Sequence, residues 1–264
     1  MMIAGFRMVS ADPTRLSNFY RAIGFDVARK VPIPAAEIEG LGLSGDGWRI
    51  AMRLGPSLAE LDVFTIGGRS YPPDALACDL VFQHLALVTD DAQAAWFRAR
   101  DAGALPLSKA GPVVLPHSSG GVIAIKFRDP EGHPLEFLQF PPGGNPQWTG
   151  TGILGIDHSA LSVSDVAASQ RFYADLGTQP GKVTLNQGDA QDSLDGLEGV
   201  TVDVVPQQPR HHPPHVELLG YRHPAGRPHA PLAANDVAAT RIVWRGDKEA
   251  VLRDPDGHLQ QLIR

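Results

Sequence analysis

Two strings in this chain are close copies set 125 residues apart: Asp129-Pro130-Glu131-Gly132-His133 followed by Leu135-Glu136-Phe137, and Asp254-Pro255-Asp256-Gly257-His258 followed by Gln260-Gln261-Leu262. Two further stretches open alike, 153 residues apart: Asp12-Pro13-Thr14-Arg15-Leu16-Ser17-Asn18-Phe19-Tyr20 and Asp165-Val166-Ala167-Ala168-Ser169-Gln170-Arg171-Phe172-Tyr173. An internal repeat constrains architecture more than local propensity does, because each copy is one supersecondary unit that buries its apolar face only against its neighbours. The unequal offsets shorten the second half by 28 residues between these landmarks, so the last of four units is stunted.

Each unit reads as a strand, a helix and further strands. In unit one, residues 3–9 form an apolar strand, Asp12 is a helix N-cap and Pro13 fits the first helical position. Phe19, Tyr20 and Ile23 share one helix face, and Gly24 stops the helix. Strands follow around 48–54 and 58–66 before Gly67, Gly68, Pro72 and Pro73 break the pattern. Unit two has a strand over 82–88 and a helix carrying Ala94, Ala95, Phe97 and Ala102 that ends at Gly103. Its strands over 122–127 and 135–140 are joined by the Asp-Pro-Glu-Gly-His turn. Residues 141–155, with five Gly and three Pro, are the most obvious linker. Unit three opens with Ile156-Asp157-His158, has Asp165 as helix cap and Gly177 as stop, and ends in a strand over 216–221. Unit four keeps only a strand over 240–245, a turn and residues 250–263. The expected division is one domain over 1–145 (modules 1–70 and 80–142) and another over 153–264 (modules 153–223 and a truncated 228–264).

Composition narrows the function classes. With 43% hydrophobic and 20% charged residues the chain can bury an ordinary core. A net charge of −6 and the lack of any Lys/Arg-rich run argue against nucleic acid as a partner. The lone Cys78 forms no internal disulfide, fits a reducing compartment and is given no catalytic role. No apolar run approaches the ~18 residues of a membrane span, and the first residues lack a signal-peptide pattern. The expectation is a soluble, cytoplasmic protein.

Four strand-helix-strand units in series, with the Asp-Pro-x-Gly-His turn, resemble the vicinal oxygen chelate superfamily. That group includes glyoxalase I, extradiol dioxygenases, methylmalonyl-CoA epimerases and the fosfomycin- and bleomycin-resistance proteins. The resemblance implies an α+β fold of tandem βαβββ modules, making two cupped mixed sheets with helices outside and a truncated fourth module. It also implies up to four ligands per cup, one from the first and one from the last strand of each of two units, on strand faces where alternate residues converge. Counting seven residues back from the helix-capping Asp gives His84 in unit two, His158 in unit three and Gly5 in unit one. Counting seven forward from the turn Asp gives Glu136 in unit two and Gln261 in unit four, and matching Glu-Leu strings give Glu60 and Glu217. For the first strand of unit four, His229 competes with the β-branched run Thr240-Arg241-Ile242-Val243-Trp244. The run is preferred because Pro231 spoils the other stretch.

Pairing decides whether a complete set exists. If adjacent units pair, the sets are Glu60/His84/Glu136 and His158/Glu217/Gln261. If units two and three pair, His84, Glu136, His158 and Glu217 form one full site and Glu60/Gln261 a vestigial one; this second arrangement is adopted here. Such a donor set suits Zn, Ni, Mn or Fe. The resemblance then implies a glyoxalase-like lyase or isomerase working by proton abstraction beside a metal-chelated carbonyl of a small-molecule substrate, with Glu136 as the base and Glu217 second. A homodimer fits the same resemblance. Two other readings stay open: a metal-free small-molecule binding protein, and an extradiol ring-cleavage dioxygenase. Outside this set, His133 and His258 read as structural, Arg210-His211-His212-Pro213-Pro214-His215 as an exposed Pro-rich loop, and Asn186-Gln187-Gly188-Asp189 as a turn.

Overall fold

A computed structural model describes residues 1–211 and 213–264 of the chain. Unit one comprises β1 (Met2–Val9), α1 (Pro13–Ala22), β2 (Asp26–Pro32), α2 (Ala35–Gly40), β3 (Gly47–Leu54) and β4 (Ser57–Phe64). Unit two comprises β5 (Gln83–Thr89), α3 (Ala92–Asp101), β6 (Leu105–Pro106), β7 (Val113–Val114), a 3-10 turn (His117–Ser119), β8 (Ile123–Arg128) and β9 (Pro134–Gln139). Unit three comprises β10 (Ile153–Ser162), α4 (Val166–Asp175), β11 (Gln179–Pro180), β12 (Thr184–Gln187), α5 (Asp189–Asp195), β13 (Thr201–Gln208) and β14 (His215–His223). Unit four has β15 (Arg241–Arg245), β16 (Ala250–Arg253) and β17 (Leu259–Ile263), with no helix between them.

The helix starts follow local chemistry. Asp12, Asp91 and Asp165 each accept a hydrogen bond from the backbone N–H three residues on, which satisfies one of the orphan donors of the first turn. Short elements that the sequence reading passed over, among them α2, α5, β12 and β13, carry no clean apolar periodicity and owe their form to the sheet around them.

The strands form two curled sheets of a mixed α+β fold. One runs β16-β17-β15-β1-β4-β3-β2 and the other β11-β13-β14-β10-β5-β9-β8-β6, with β12 added beside β13 and β7 beside β8. Units one and four therefore share a sheet, and units two and three share the other. Each sheet takes strands from both sides of the 141–155 linker. The convex faces and the helices close on one core, including Phe6, Phe19 and Tyr20 from unit one, Phe127 and Phe137 from unit two, Tyr173 from unit three and Trp244 from unit four. At about 25 cal/mol per Å² of apolar surface, such rings dominate the burial energy.

The two copied turns lock the sheets to each other. Asp129 accepts from the backbone N–H of Glu131 and His133, and Tyr20 of unit one donates its hydroxyl to the same carboxylate. The His133 ring spans Asp129 (2.8 Å) and the Val9 carbonyl (3.0 Å). In unit four, Asp254 repeats the pattern with Asp256, His258 and Tyr173, and His258 reaches the Ser162 carbonyl. Both turn histidines are thus buried structural residues, as their place in the repeat suggested. Among the described residues no helix is long and apolar enough to cross a membrane.

Candidate metal centre

The concave face of the second sheet collects the predicted donors because β5 lies beside β10. In that antiparallel pair His84 opposes Ala160 and His158 opposes Ala86, so the two imidazoles occupy one face two residues out of step. Parallel pairing places Glu136 beside Ala86 on β9 and Glu217 beside Ala160 on β14. Each carboxylate is thereby offset by two residues from a histidine on the neighbouring strand, and alternate residues on a strand share a face. His84 Nε2 lies 2.8 Å from Glu136 Oε2, and His158 Nε2 lies 4.0 Å from the same oxygen and 3.5 Å from Glu217 Oε2. Donor atoms of His84, Glu136 and His158 all fall within 4.8 Å of one another.

The surroundings set the charge of these groups. His84 is 2% exposed; its Nε2 approaches Glu136 Oε2 at 2.8 Å without good alignment, and its Nδ1 meets no acceptor or donor. Burial holds this imidazole below its ordinary value, hence neutral and with a lone pair free. Burial also works against ionisation of Glu136, but His84, Lys126 and His158 outweigh it and hold the carboxyl low. Glu217 is likewise opposed by burial, yet His158 and His215 bring it down to about 2. For His158, burial alone would lower the value; Glu217, Asp157 and Glu136 together raise it to about 9. Two ionised carboxylates, a neutral buried imidazole without a partner and a second imidazole that sheds a proton on binding make a donor set that fits a divalent ion.

Four further residues, Asp157, Trp148, His215 and Lys126, shape the centre, and sequence reasoning missed their roles. Asp157 Oδ2 accepts from His158 Nδ1 at 3.0 Å, which turns Nε2 toward the carboxylates, and Trp148 Nε1 donates to Asp157 Oδ1 at 2.9 Å. Neighbours on a regular strand face opposite ways, but a register shift between Ile156 and His158 re-aims Asp157 to the same side. No sequence pattern marks such a bulge. The sequence pattern places His215 in an exposed Pro-rich loop; in the structure it begins β14, opposite His158, with its Nε2 3.4 Å from Glu217 Oε1. Its i, i+2 spacing from Glu217 was the available signal. His212 of the same tract lies outside the described residues. Lys126 stands directly across the strand pair from Glu136 and is also buried. The segment read as a turn at 186–189 is the end of β12 and the start of α5, and Asn186 lines the cup.

The cup holds about 380 Å³, and Leu115, Val122, Leu138 and Leu219 form apolar wall beside the donors. The concave face of the first sheet has gone a different way. There the corresponding register positions carry Gly5, Glu60, Arg241 and Gln261. Glu60 accepts from Arg7, Gln261 donates to Glu37 on α2, and Arg49 and Arg241 both bond Asp62. Three guanidinium groups offset three carboxylates, so Glu60 and Gln261 belong to a salt-bridged lattice. His229, the rejected alternative, sits outside any strand with its Nδ1 near the Ala230 carbonyl.

The family model described as Glyoxalase/Bleomycin resistance protein/Dioxygenase superfamily matches residues 3–137. No curated protein matches the chain. Among solved structures, glyoxalase I from Zea mays is similar over 98% of this chain and 91% of its own, at 15% identity and a TM-score of 0.62. A putative dioxygenase from Bacillus subtilis subsp. subtilis str. 168 is similar over 99% of this chain and 84% of its own, at 12% identity and a TM-score of 0.57. At these identities the likeness is one of fold. With the family model covering half the chain and the fold shared along nearly all of it, the chain belongs to the Glyoxalase/Bleomycin resistance protein/Dioxygenase superfamily.

Proposed function

We propose that the chain is a divalent-metal-dependent lyase or isomerase of glyoxalase type, with His84, Glu136, His158 and Glu217 holding Zn, Ni, Mn or Fe. The observation that carries this reading is the convergence of buried donors: atoms of His84, Glu136 and His158 lie within 4.8 Å of one another, and neither His84 nitrogen makes a well-aligned hydrogen bond. When bound, the ion supplies Lewis-acid polarisation of a substrate carbonyl. The remaining roles belong to the chain. Glu136 takes the proton from the carbon bearing a hydroxyl and returns it to the neighbouring carbonyl carbon, while the hydroxyl proton passes to the other oxygen, so no atom is gained or lost. Asp157 fixes the His158 tautomer, Trp148 fixes Asp157, and His215 steadies Glu217. The apolar wall keeps water from the carbon acid.

That same wall favours a second reading, a metal-free protein that holds a small hydrophobic molecule in the cup. Elemental analysis of protein purified without tag or chelator separates the two. Roughly one equivalent of a divalent metal per chain supports the enzyme; under a tenth of an equivalent after metal soaking leaves the binding protein. Iron together with ring cleavage of catechols would instead mark an extradiol dioxygenase.

A further inference from the structure

Lys126 is a buried charged group in the cup that the proposed reaction does not use. It lies on β8 as the direct cross-strand partner of Glu136, is 3% exposed, and lines the same cup as His84, Glu136 and Glu217. Its ammonium donates to Asp195 Oδ1 at 2.6 Å, across from unit two to the end of α5 in unit three. Asp195 also accepts from Gln191 Nε2 at 2.8 Å and Tyr221 Oη at 3.0 Å, both on its other oxygen. These bonds fix the carboxylate, and through it the ammonium, on one side of the cup.

An ammonium carries three N–H donors, and only one of these finds an acceptor among the described residues. The Phe82 ring, 6.0 Å from Nζ, offers a π face and no lone pair. Water-exposed lysines satisfy such donors at no cost, but a buried one does so only through an ordered water or a bound group that displaces it. The other carboxylates that act on the Lys126 ammonium, Glu136 and Glu217, are committed to the ion in the proposed reading. Two N–H bonds on a single fixed ammonium suit the two oxygens of a carboxylate, and the cup volume of about 380 Å³ suits a small molecule carrying one.

We infer that Lys126 is a specificity-determining residue, receiving a carboxylate on the substrate at a point separate from the oxygens that meet the ion. The inference rests on the metal-dependent reading above and narrows its substrate class to small anionic hydroxy-carbonyl compounds. A role for Lys126 as a purely structural tie between units two and three predicts no such preference.

The test uses two chelating probes of equal size, malonomonohydroxamate and its amide malonamohydroxamate, titrated calorimetrically into the full chain loaded with Ni²⁺. The carboxylate probe is expected to bind the wild-type chain roughly tenfold or more tightly than the amide, the scale of one charge-assisted hydrogen bond. Lys126→Gln is expected to abolish that preference and Lys126→Arg to keep most of it. Equal affinities in the wild-type chain overturn the inference without recourse to any variant, as does an undiminished preference in a folded Lys126→Gln. Nickel titration of the wild-type chain precedes the probes: no uptake overturns the metal-dependent reading itself and this inference with it, whereas uptake without carboxylate preference overturns only the latter.

Discussion

His84 and Arg241 hold the same register position in the two sheets. His84 stands two residues before Ala86, the β5 partner of Glu136, and Arg241 two residues before Val243, the β15 partner of Gln261. One cup offers an unpartnered imidazole there; the other offers a guanidinium hydrogen-bonded to Asp62 at 2.7 Å. The positive charge that an ion would bring to the cup of units two and three is thus covalently built into the cup of units one and four. Duplicated modules have diverged into a candidate chemical site and an internal salt-bridge lattice.

Removing either imidazole should have the same consequence. His84→Ala and His158→Ala are each expected to lower bound metal from roughly one equivalent per chain to below a tenth, because each deletes one donor of a single shared site. Elemental analysis of the folded variants reads this directly. Retention of metal in one variant only would break the link between units two and three.

The Asp157 carboxylate should matter without touching the metal. Asp157→Ala frees the His158 ring to rotate, and a loss of about 10–100-fold in metal affinity is expected. Trp148→Phe removes only the hydrogen bond behind it and should cost less. Competition against a chelator of known strength ranks the two; equal and negligible effects would remove both from the site.

Breaking the salt-bridge lattice should cost stability and spare the metal. Arg241→Met leaves Asp62 paired with Arg49, which bonds both of its oxygens, so a loss of about 1–3 kcal/mol is expected, the scale of one hydrogen bond to a charged group. Urea denaturation measures it, and metal content per folded chain should be unchanged. Gly5→His should likewise restore no second metal site, because a Cβ at Gly5 would stand 2.6 Å from the Leu58 carbonyl oxygen.

Glu37 makes the same lattice sensitive to acid. Burial opposes its ionisation, but the hydrogen bond from Arg49 and the nearby Arg7 prevail and bring its carboxyl down to about 2. A carboxyl lowered by folding adds stability above its unfolded value of 4.5, and that stability is lost as pH falls toward 2. With the side chain 22% exposed and solvent screening discounted, the contribution is about 1–2 kcal/mol. Acid titration of unfolding free energy should therefore be steeper between pH 4.5 and 2 in the wild-type chain than in Glu37→Gln. Parallel curves would show that the lattice does not depend on this charge.

What the sequence determined by itself was local counting. The seven residues from Asp129 to Glu136 and from Asp254 to Gln261 are set by a turn whose carboxylate bonds backbone N–H groups inside the same few residues. The distance from each capping Asp back to His84, His158 or Gly5 follows from one strand, one bend and one helix start. Such distances survive in one dimension because all their hydrogen bonds are short-range. Tertiary structure decided the rest. The pairing of β5 with β10, and of β1 with β15, joins strands about 70 and 240 residues apart along the chain, and it is favoured by burial of a common core to which all four units contribute. No spacing records that choice. Nor does it record the bulge that turns Asp157 toward His158, the strand that carries His215 out of a proline-rich stretch, or the Arg241 guanidinium in the position of a ligand. Each of these depends on which backbone lies alongside, and that is a property of the sheet.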